Sequence, residues 1–508
     1  MSETARLAGR VLCLGFPGTD PAAALEYLRP VGPGAVVLFA RNVTTVDATR
    51  ALVDDVRRGL GDDVLFAVDQ EGGSVARLRD GATRIPSMMA LGATCDGALA
   101  ERVGAALAAD VRRAGGDVDF APVLDLALAP ASTVVGTRSL GDDPALVAEL
   151  GAALVRGLQG GGVAATPKHF PGHGASAADS HLGPASLAAD VHTLHTRELV
   201  PFRAALAAGA RALMLAHLRV PALDASRPAS RSTAVATSLL REELGFTGAC
   251  FTDCLDMRGA GDDDLCAAAV DALAAGVDFL VISHSFERAP EVVAGIERAV
   301  ERGALPLEQL RHAVARGNDL RAWSRRQTPR ATEDTSDVGR VVAARAVTVV
   351  RGDPVLRADV PVAVVSFEGA AHDGIGSVRE DGSLSLALRR RRRRSELLRV
   401  PLEPDAAMSE HLRSLLALQP ERELVLVVRG AARRPAQRQA VDVLLAAFPH
   451  ALVVVAAEPF DVAYLARAPR VVCSYDDGEP MLEALADVLT GKQRAPGRLP
   501  VDVRAAVG

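Results

Sequence analysis

The amino-acid sequence predicts an α/β protein made of a (β/α)8 TIM-like barrel followed by a smaller α/β sandwich domain. Eight short apolar segments with strand character recur within the first 285 residues, and helix-like segments separate them. Eight alternations of strand and helix are the pattern of such a barrel. A chain of 508 residues is also too long for one ordinary domain. We expect the barrel over residues 1–326, a linker over 327–340 and the sandwich domain over 341–508.

The apolar segments define the strands of the predicted barrel. They cover residues 11–16, 35–39, 64–68, 118–124, 163–166, 212–216, 249–252 and 277–282. The clearest helix covers residues 144–158, where leucines recur every four residues from Leu146 and form one face. Asp142 or Asp143 can cap this helix, Pro144 opens it, and the glycines at 160–162 end it.

The second domain follows a polar linker over residues 327–337. Its strands are predicted at residues 362–367, 424–428, 452–457 and 471–474, and helical stretches separate them, which indicates a parallel sheet. Six consecutive arginines at 389–394, here called the arginine run, continue a helix-like segment. A solvated helix end is favoured over an interaction patch for this run. The turn Asp476-Asp477-Gly478 is interpreted as solvent-exposed, with a substrate-facing loop as the alternative.

Composition and charge exclude several classes of partner. A net charge of −6 and an aromatic content of 3% argue against nucleic acid, which requires a basic face with stacking residues. The N-terminus lacks the pattern of a signal peptide, and no apolar stretch is long enough to span a bilayer. We therefore predict a cytoplasmic protein that makes no membrane contact.

Scattered cysteines without C-x-x-C spacing favour reduced thiols over a disulfide framework or a zinc site. They are Cys13, Cys95, Cys250, Cys254, Cys266 and Cys473.

The most informative stretch is Lys168-His-Phe-Pro-Gly-His-Gly, followed four residues later by Asp179-Ser-His181. It begins where the fifth predicted strand ends, and polar residues at the carboxyl ends of barrel strands are typical of active sites. Lys168 is one of only two lysines in the chain. Asp179 can orient the imidazole of His181, as a carboxylate orients a histidine that moves protons. Single loop histidines are often only solvent-exposed, so the catalytic interpretation requires a nucleophile elsewhere.

Asp253 supplies that nucleophile, because it follows the seventh predicted strand and a barrel would direct it into the same pocket. A structural role, such as holding Lys168, is the alternative, and Asp256 is expected to cap the next helix. An aspartate nucleophile, a separate proton donor and several groups that bind hydroxyls are the components of a retaining glycosidase. His181 is the better proton donor, since histidine titrates near neutral pH. Other polar residues that follow predicted strands are Asp69, Glu71, Arg77, Asp125, Arg138, His217, Ser283 and His284.

Three stretches together resemble glycoside hydrolase family 3, and within it the β-N-acetylglucosaminidase branch. They are Asp69-Gln-Glu-Gly-Gly, the lysine-histidine stretch with Asp179-Ser-His181, and Phe251-Thr-Asp-Cys-Leu-Asp-Met. Each follows a predicted strand, and they occur in the order of the family. The resemblance covers residues 1–330 strongly, while residues up to the closing Pro496-Gly-Arg-Leu-Pro-Val are similar to the sandwich domain of longer members. Ser74 departs from the family, which commonly has arginine there.

The resemblance implies a role for each residue of the catalytic barrel. Asp253 would be the nucleophile, and His181 with Asp179 the acid/base dyad on a loop. The resemblance implies that the groups holding the sugar's hydroxyls and acetamido group are Asp69, Arg77, Arg138, Lys168 and His169, with Met214 against the ring. It implies no metal and no organic cofactor. His173 is expected to shape the loop.

The leading hypothesis is a retaining exo-β-N-acetylglucosaminidase that acts on cell-wall-derived or chitin-type oligosaccharides. Its expected partner is a small carbohydrate, and the chain is expected to be a monomer or a homodimer. Two alternatives stay open at this point. Phosphate in place of water would make the enzyme a phosphorylase, and a neutral histidine repels phosphate less than a carboxylate does. The other is a sugar-binding protein without catalysis, although Asp253 and His181 are both present.

Overall fold

The computed structural model describes residues 2–132, 134–176, 183, 185–260, 264–327, 335–368 and 383–506. Among these residues, eight strands of the first part pair in parallel in the two sheets of the barrel. They are β1 (Leu12–Leu14), β2 (Ala35–Leu38), β3 (Leu65–Val68), β4 (Val118–Asp119), β5 (Ala164–Ala165), β6 (Ala212–Leu215), β7 (Ala249–Thr252) and β8 (Leu280–Ile282). Each lies inside a predicted segment.

The strands close into a barrel. Six of them form one sheet in the order β8-β1-β2-β3-β4-β5, and β6 pairs with β7. Isolated bridges between Phe170 and Leu215 and between Phe251 and Phe279 join the two sheets at both edges. The predicted (β/α)8 barrel is therefore confirmed.

Helices lie before, between and after the strands of the barrel. Their bounds are Glu3–Arg10, Pro21–Leu28, Val46–Leu60, Met88–Thr94, Gly97–Arg113, Pro144–Gly160, Leu199–Ala207, Leu265–Ala275, Ala289–Glu301 and Leu307–Arg326, with π-helices at Leu194–Glu198 and Ala234–Glu243. The helix Pro144–Gly160 begins as predicted, because the Asp143 side chain accepts a hydrogen bond from the Ala145 amide and Pro144 occupies the first turn.

Two strands are shorter than the apolar segments that contain them, and proline explains both. Pro122 follows β4 and Pro167 follows β5, and proline cannot donate a ladder hydrogen bond. The two chains meet again at an isolated bridge between Val123 and Lys168. The barrel interior below this level is apolar, and Phe251 stacks on Phe279 with ring centroids 4.5 Å apart. A packed interior leaves the polar side chains to the strand ends.

The second part of the chain is a six-stranded sheet with helices between its strands. The strands are β9 (Thr348–Arg351), β10 (Val362–Glu368), β11 (Ser395–Pro401), β12 (Glu423–Val428), β13 (Leu452–Val455) and β14 (Arg470–Cys473). The helices are Val338–Ala346, Leu384–Arg390, Ala406–Ala417, Pro435–Ala447 and Glu479–Leu489. The order is β9-β14-β13-β12-β10-β11, and only the edge strand β9 is antiparallel to its neighbour. The α/β sandwich is confirmed, and its exact boundaries stay a prediction.

The turn at Asp476 and Asp477 joins the two domains, so its interpretation as a solvent-exposed turn is wrong. The Ser87 amide donates to the Asp476 carboxylate at 2.7 Å, and the Ser87 hydroxyl donates to the Tyr475 carbonyl at 2.9 Å. Asp477 lies 3.0 Å from Nε of Arg429. Contacts of this kind between segments almost 400 residues apart leave no local signal in the sequence.

The arginine run is also more deeply involved in the fold than predicted. The helix Leu384–Arg390 does end within it. The side chain of Arg391 is only 9% exposed, however, and pairs with Glu483 at 2.6 Å and Asp487 at 2.7 Å. Arg393 donates to the carbonyls of Arg357 and Ala358. The run therefore attaches its helix to the acidic face of Glu479–Leu489 and is not simply solvated.

Two further sequence expectations concern the whole chain. Among the residues described, no helix is both long and apolar enough to cross a membrane. All six cysteines are free, and Cys13, Cys250 and Cys473 are buried. Burial raises the pKa of the Cys250 thiol to about 12, so this group stays protonated at neutral pH. That the cysteines are reduced in the protein's environment stays a prediction.

Candidate active site

The centre of the polar cluster is Lys168, whose side chain is 2% exposed. Its ammonium group lies 2.7 Å from the Asp69 carboxylate and 2.5 Å from the Glu71 carboxylate. Asp69 comes directly after β3, and Lys168 follows β5, so the barrel brings together residues that are 99 positions apart. Arg77 lies 3.8 Å from the second oxygen of Asp69. Sequence reasoning placed Asp69, Arg77 and Lys168 in one site, and the structure brings them together.

Arg138 completes this cluster through Glu71. Its Nε and Nη2 atoms donate to the two oxygens of Glu71 at 2.8 and 2.7 Å, a bidentate pair. Burial would raise the pKa of Glu71, but Arg138 and Lys168 hold it well below its usual range. Burial would likewise lower the pKa of Lys168, but Asp69 and Glu71 raise it. Glu71, Arg138 and Lys168 are therefore charged, and each offsets the desolvation of its neighbours.

A second cluster is built on Asp125, which is fully buried. Its carboxylate accepts the ring Nδ1–H of His169 at 2.6 Å and the backbone amide of His173 at 2.7 Å. Burial would raise the pKa of Asp125, but the nearby His169 lowers it. Because Nδ1 donates to Asp125, His169 keeps Nε2 for another contact. Asp125 thus fixes the loop after β5 at two points, and the expectation that the His173 side chain shapes this loop stays a prediction.

Asp253 lies at the carboxyl end of β7. Its backbone amide donates to the Leu215 carbonyl at 2.9 Å, and its Oδ1 accepts the amide of Cys254 at 2.7 Å. This short local hydrogen bond fixes the orientation of the carboxylate. The described partners of the Lys168 ammonium are Asp69 and Glu71. The role of Asp253 as nucleophile stays a prediction.

His217, which follows β6, fixes the segment after Asp253. Its Nε2 lies 2.9 Å from the Cys254 carbonyl, so it donates there, and its Nδ1 lies 2.7 Å from the Ser230 hydroxyl and accepts. Burial lowers the pKa of His217, although the charge of Asp253 raises it. The ring is consequently neutral, with its proton on the nitrogen that faces the nucleophile loop.

Asp256 fixes the same loop from the other side. The sequence predicts that it caps the next helix, and this is wrong, because Asp264 caps the helix Leu265–Ala275. The Asp256 carboxylate accepts the amides of Ser283 and His284 at 2.8 Å each. It therefore ties the loop after β7 to the loop after β8.

The comparisons with known proteins agree with this arrangement. Residues 16–319, more than half of the chain, match the glycosyl hydrolase family 3 N-terminal domain. The chain belongs to glycosyl hydrolase family 3. It is 36% identical over 318 residues to the β-hexosaminidase of Nitrosomonas eutropha, which covers 60% of this chain and 89% of that relative. It is 40% identical over 280 residues to the β-hexosaminidase of Methylococcus capsulatus, which covers 54% of this chain and 82% of that relative.

A solved structure extends the similarity to both domains. A glycoside hydrolase family 3 β-N-acetylglucosaminidase from Paenibacillus sp. str. FPU-7 superimposes with a TM-score of 0.92 at 30% identity, and the match covers 99% of each chain. The prediction that this chain is a glycoside hydrolase of family 3 is confirmed, and these relatives fall in the branch that the sequence predicted.

The family motifs differ in how fully the structure describes them. Asp179 and His181 lie outside the described residues, so their role stays a prediction. Met214 lies in β6, 4% exposed, in the apolar interior of the barrel. The sequence placed Glu71 and Asp125 among the polar residues that follow predicted strands but gave neither of them a role in the site.

Proposed function

We propose that this chain is a retaining exo-β-N-acetylglucosaminidase. The observation that carries the proposal is the position of Asp253 at the carboxyl end of β7, with its carboxylate oriented by the Cys254 amide. In a (β/α)8 barrel this end faces the same pocket as Lys168 and Asp69. The similarity to a β-N-acetylglucosaminidase over the full chain supports the same activity.

Two displacements at the anomeric carbon give retention of configuration. In the first, one oxygen of Asp253 attacks C1 of the N-acetylglucosamine unit, and the bond from C1 to the leaving oxygen breaks. In the second, water attacks the glycosyl-aspartate ester, and the β-anomer of the free sugar leaves. Asp253 suits this role because the Cys254 amide donates to its Oδ1 and orients the carboxylate.

The acid/base step falls to the dyad of His181 and Asp179. In the first displacement the imidazolium of His181 gives its proton to the leaving oxygen, and in the second the neutral ring takes a proton from water. Asp179 orients the ring and stabilises its charged form. His217 is unsuited to this step, since both of its nitrogens already hold protein groups.

The sugar is held by groups that keep donors after forming the buried cluster. Lys168 has three N–H donors, of which two are directed at Asp69 and Glu71. Arg138 uses three of its five N–H groups, on Glu71 and on the Val134 carbonyl. These donors, with the Asp69 carboxylate, Arg77 and the Nε2 of His169, would bind hydroxyls and the acetamido group. Met214 would contact the ring.

The substrate class proposed is a cell-wall-derived or chitin-type oligosaccharide with terminal β-linked N-acetylglucosamine. A cytoplasmic location is part of the proposal, supported by free cysteines. The small-carbohydrate partner follows from the activity.

The test is the turnover of p-nitrophenyl β-N-acetylglucosaminide beside the matching β-glucoside, each with and without inorganic phosphate. We expect preference for the acetamido sugar, rates independent of phosphate, and free β-N-acetylglucosamine as the first product seen by proton NMR. A sugar 1-phosphate as the main product would make the enzyme a phosphorylase. The α-anomer as first product would exclude retention, and no turnover of either glycoside would favour a binding protein.

The matched variant is Asp253→Asn, which keeps the oxygen that accepts the Cys254 amide. We expect a loss of about 10⁴-fold or more in kcat with an unchanged melting temperature, since only the nucleophile is removed. Retained activity in this variant would contradict the assignment of Asp253.

A further inference from the structure

A cavity of about 510 Å³ lies between the two domains. The barrel contributes residues of the segment 70–86 and the loop 134–138, and the second domain contributes the loops 429–434, 456–458 and 475–481. Asp253 and Lys168 are not among its lining residues, but Arg138 is. Arg138 binds Glu71, and Glu71 contacts Lys168. Because Arg138 belongs to the cluster that we propose holds the sugar, the cavity adjoins that cluster directly.

The cavity lining is rich in arginine. Six arginines and three carboxylates line it, so positive side chains predominate. Most of these arginines have a carboxylate close by. The described pairs are Arg138 with Glu71, Arg84 with Glu479, Arg429 with Asp477 and Arg433 with Glu458.

Arg434 differs from these neighbours. Within the described part of the chain it forms no ion pair with a carboxylate. The hydrogen bond described for its guanidinium is Nη1 to the Arg429 carbonyl, at 3.1 Å. Arg434 is half-buried and lines the cavity. A guanidinium in such a place retains several unused donors.

The loop 429–434, here called the arginine loop, places two guanidinium groups close together. Gly430 has a φ of +64°, and a Cβ on this residue would lie 2.2 Å from Nη1 of Arg434 and 3.3 Å from Nη2 of Arg433. The absence of a side chain on Gly430 thus leaves the space that both groups occupy. Glu458 already pairs with Arg433, so the guanidinium in this space that remains for an added anion is that of Arg434.

The arginine loop is held firmly by the surrounding structure. The Ala432 amide donates to the buried Asp461 carboxylate at 2.7 Å, and the Arg429 amide donates to the Gln437 side chain at 2.9 Å. Arg433 reaches across to the barrel, 3.4 Å from the Pro130 carbonyl. A binding group that is already ordered loses little conformational entropy when a ligand arrives.

We propose that the arginine loop binds a carboxylate or phosphate group, with Arg434 as its main contact. A planar guanidinium matches either group with two parallel hydrogen bonds. This inference rests on the proposed function, because the cavity adjoins the site through Arg138. The anion is then carried by the part of the substrate beyond the bond that is cleaved, or it is a free anion bound beside the substrate. The second domain would thereby give the enzyme a preference for a carboxylate or phosphate group, which the barrel alone does not provide.

The test compares two substrates that differ only in charge. One is N-acetylglucosamine β-1,4-linked to an N-acetylglucosamine that carries a 3-O-lactyl group as the free acid, and the other is its methyl ester. Arg434→Gln is the test variant, and Arg394→Gln, which removes the same charge from the same domain outside the cavity, is the control. We expect kcat/KM for the acid to fall about 10- to 100-fold in Arg434→Gln and to stay unchanged for the ester, while Arg394→Gln behaves as the parent.

A second measurement distinguishes a free anion. If inorganic phosphate at constant ionic strength raises the melting temperature of the parent but not of Arg434→Gln, and acid and ester are cleaved alike, the site holds a free anion. Equal effects of Arg434→Gln on acid and ester, with no phosphate-dependent shift in melting temperature, would overturn the inference. Failure of the proposed function looks different, since then the parent would not cleave p-nitrophenyl β-N-acetylglucosaminide at all.

Discussion

Basic side chains pair with carboxylates both at the carboxyl ends of the barrel strands and in the second domain, but the two sets of pairs lie at different depths. In the barrel, Lys168 and Glu71 are at most 2% exposed and are linked to Arg138 and Asp69. In the second domain, Arg390 is 51% exposed where it meets Glu483. The same chemical pairing therefore has different consequences in the two places.

The difference lies in what happens when one partner is removed. Deep in a protein each charge depends on its partners for solvation, so the loss of one leaves the others without compensation. At the surface, water replaces the missing partner, and the contribution to stability is small. Buried ion clusters of this kind are consistent with a binding site, where donors must be held in place before the substrate arrives.

The largest effect is expected from Glu71→Gln. The substitution leaves Arg138 and Lys168 facing an uncharged amide, and we expect the free energy of unfolding to fall by about 3–5 kcal/mol. Urea denaturation measures this loss. The control is Glu101→Gln in the exposed pair with Arg156, for which we expect less than about 0.5 kcal/mol. Similar losses in the two variants would remove the distinction between the buried and the exposed pairs.

His217 extends the comparison to a buried polar group without charge. In His217→Ala the Cys254 carbonyl and the Ser230 hydroxyl lose their partner, and we expect kcat to fall about 10- to 100-fold with little change in KM, because the nucleophile loop is less well positioned. His217→Gln can still donate to Cys254, and we expect it to recover part of the rate. If Gln were no better than Ala, His217 would have only a structural role.

Sequence reasoning captured the features that follow from local pattern. Apolar segments located every strand of the barrel, and barrel geometry then placed Asp69, Lys168 and Asp253 at the ends of strands on one face. Lys168 was conspicuous because lysine is otherwise almost absent.

The features that were missed depend on contacts between distant segments. Asp256 binds backbone amides 27 and 28 residues away, Arg391 binds a helix 92 residues away, and Asp476 binds the other domain. The edge strands β9 and β11 were missed as well. An edge strand packs against one neighbour only, and β11 has mostly half-buried side chains, so its apolar pattern is weak.

Asp461 is a buried carboxylate outside the ion clusters described above, and it shows how burial shifts the pKa of such a group. Burial raises its pKa to about 6, while the Ala432 amide at its Oδ1 opposes this shift. The pKa of an unfolded aspartate is about 3.9. The pKa of Asp461 is thus higher in the folded than in the unfolded protein. Its contribution to the free energy of unfolding is therefore fully present below about pH 4 and is lost as the pH rises through about 6.

Asp461→Asn keeps the oxygen that accepts the Ala432 amide and removes the titration. We expect the variant to be more stable than the parent by about 1–2 kcal/mol at pH 7.5 and equally stable at about pH 4. Thermal unfolding at both pH values measures this difference. A constant difference between the two proteins across that range would contradict the raised pKa of Asp461.

The smallest effects are expected in the arginine run, where two adjacent residues differ in depth. Arg391, 9% exposed, pairs with Glu483 and Asp487, whereas Arg390 is largely exposed. We expect Arg391→Gln to lower the free energy of unfolding by about 1–2 kcal/mol, since its hydrogen bonds join charged groups and its own guanidinium is largely shielded from water. Arg390→Gln removes the same charge one residue away and should leave unfolding by urea unchanged. Activity should stay at the parent level in both variants, because neither residue lines the interdomain cavity or lies at the carboxyl ends of the barrel strands. An equal loss of stability in the two variants would mean that proximity to the acidic helix, and not depth, determines what each arginine contributes.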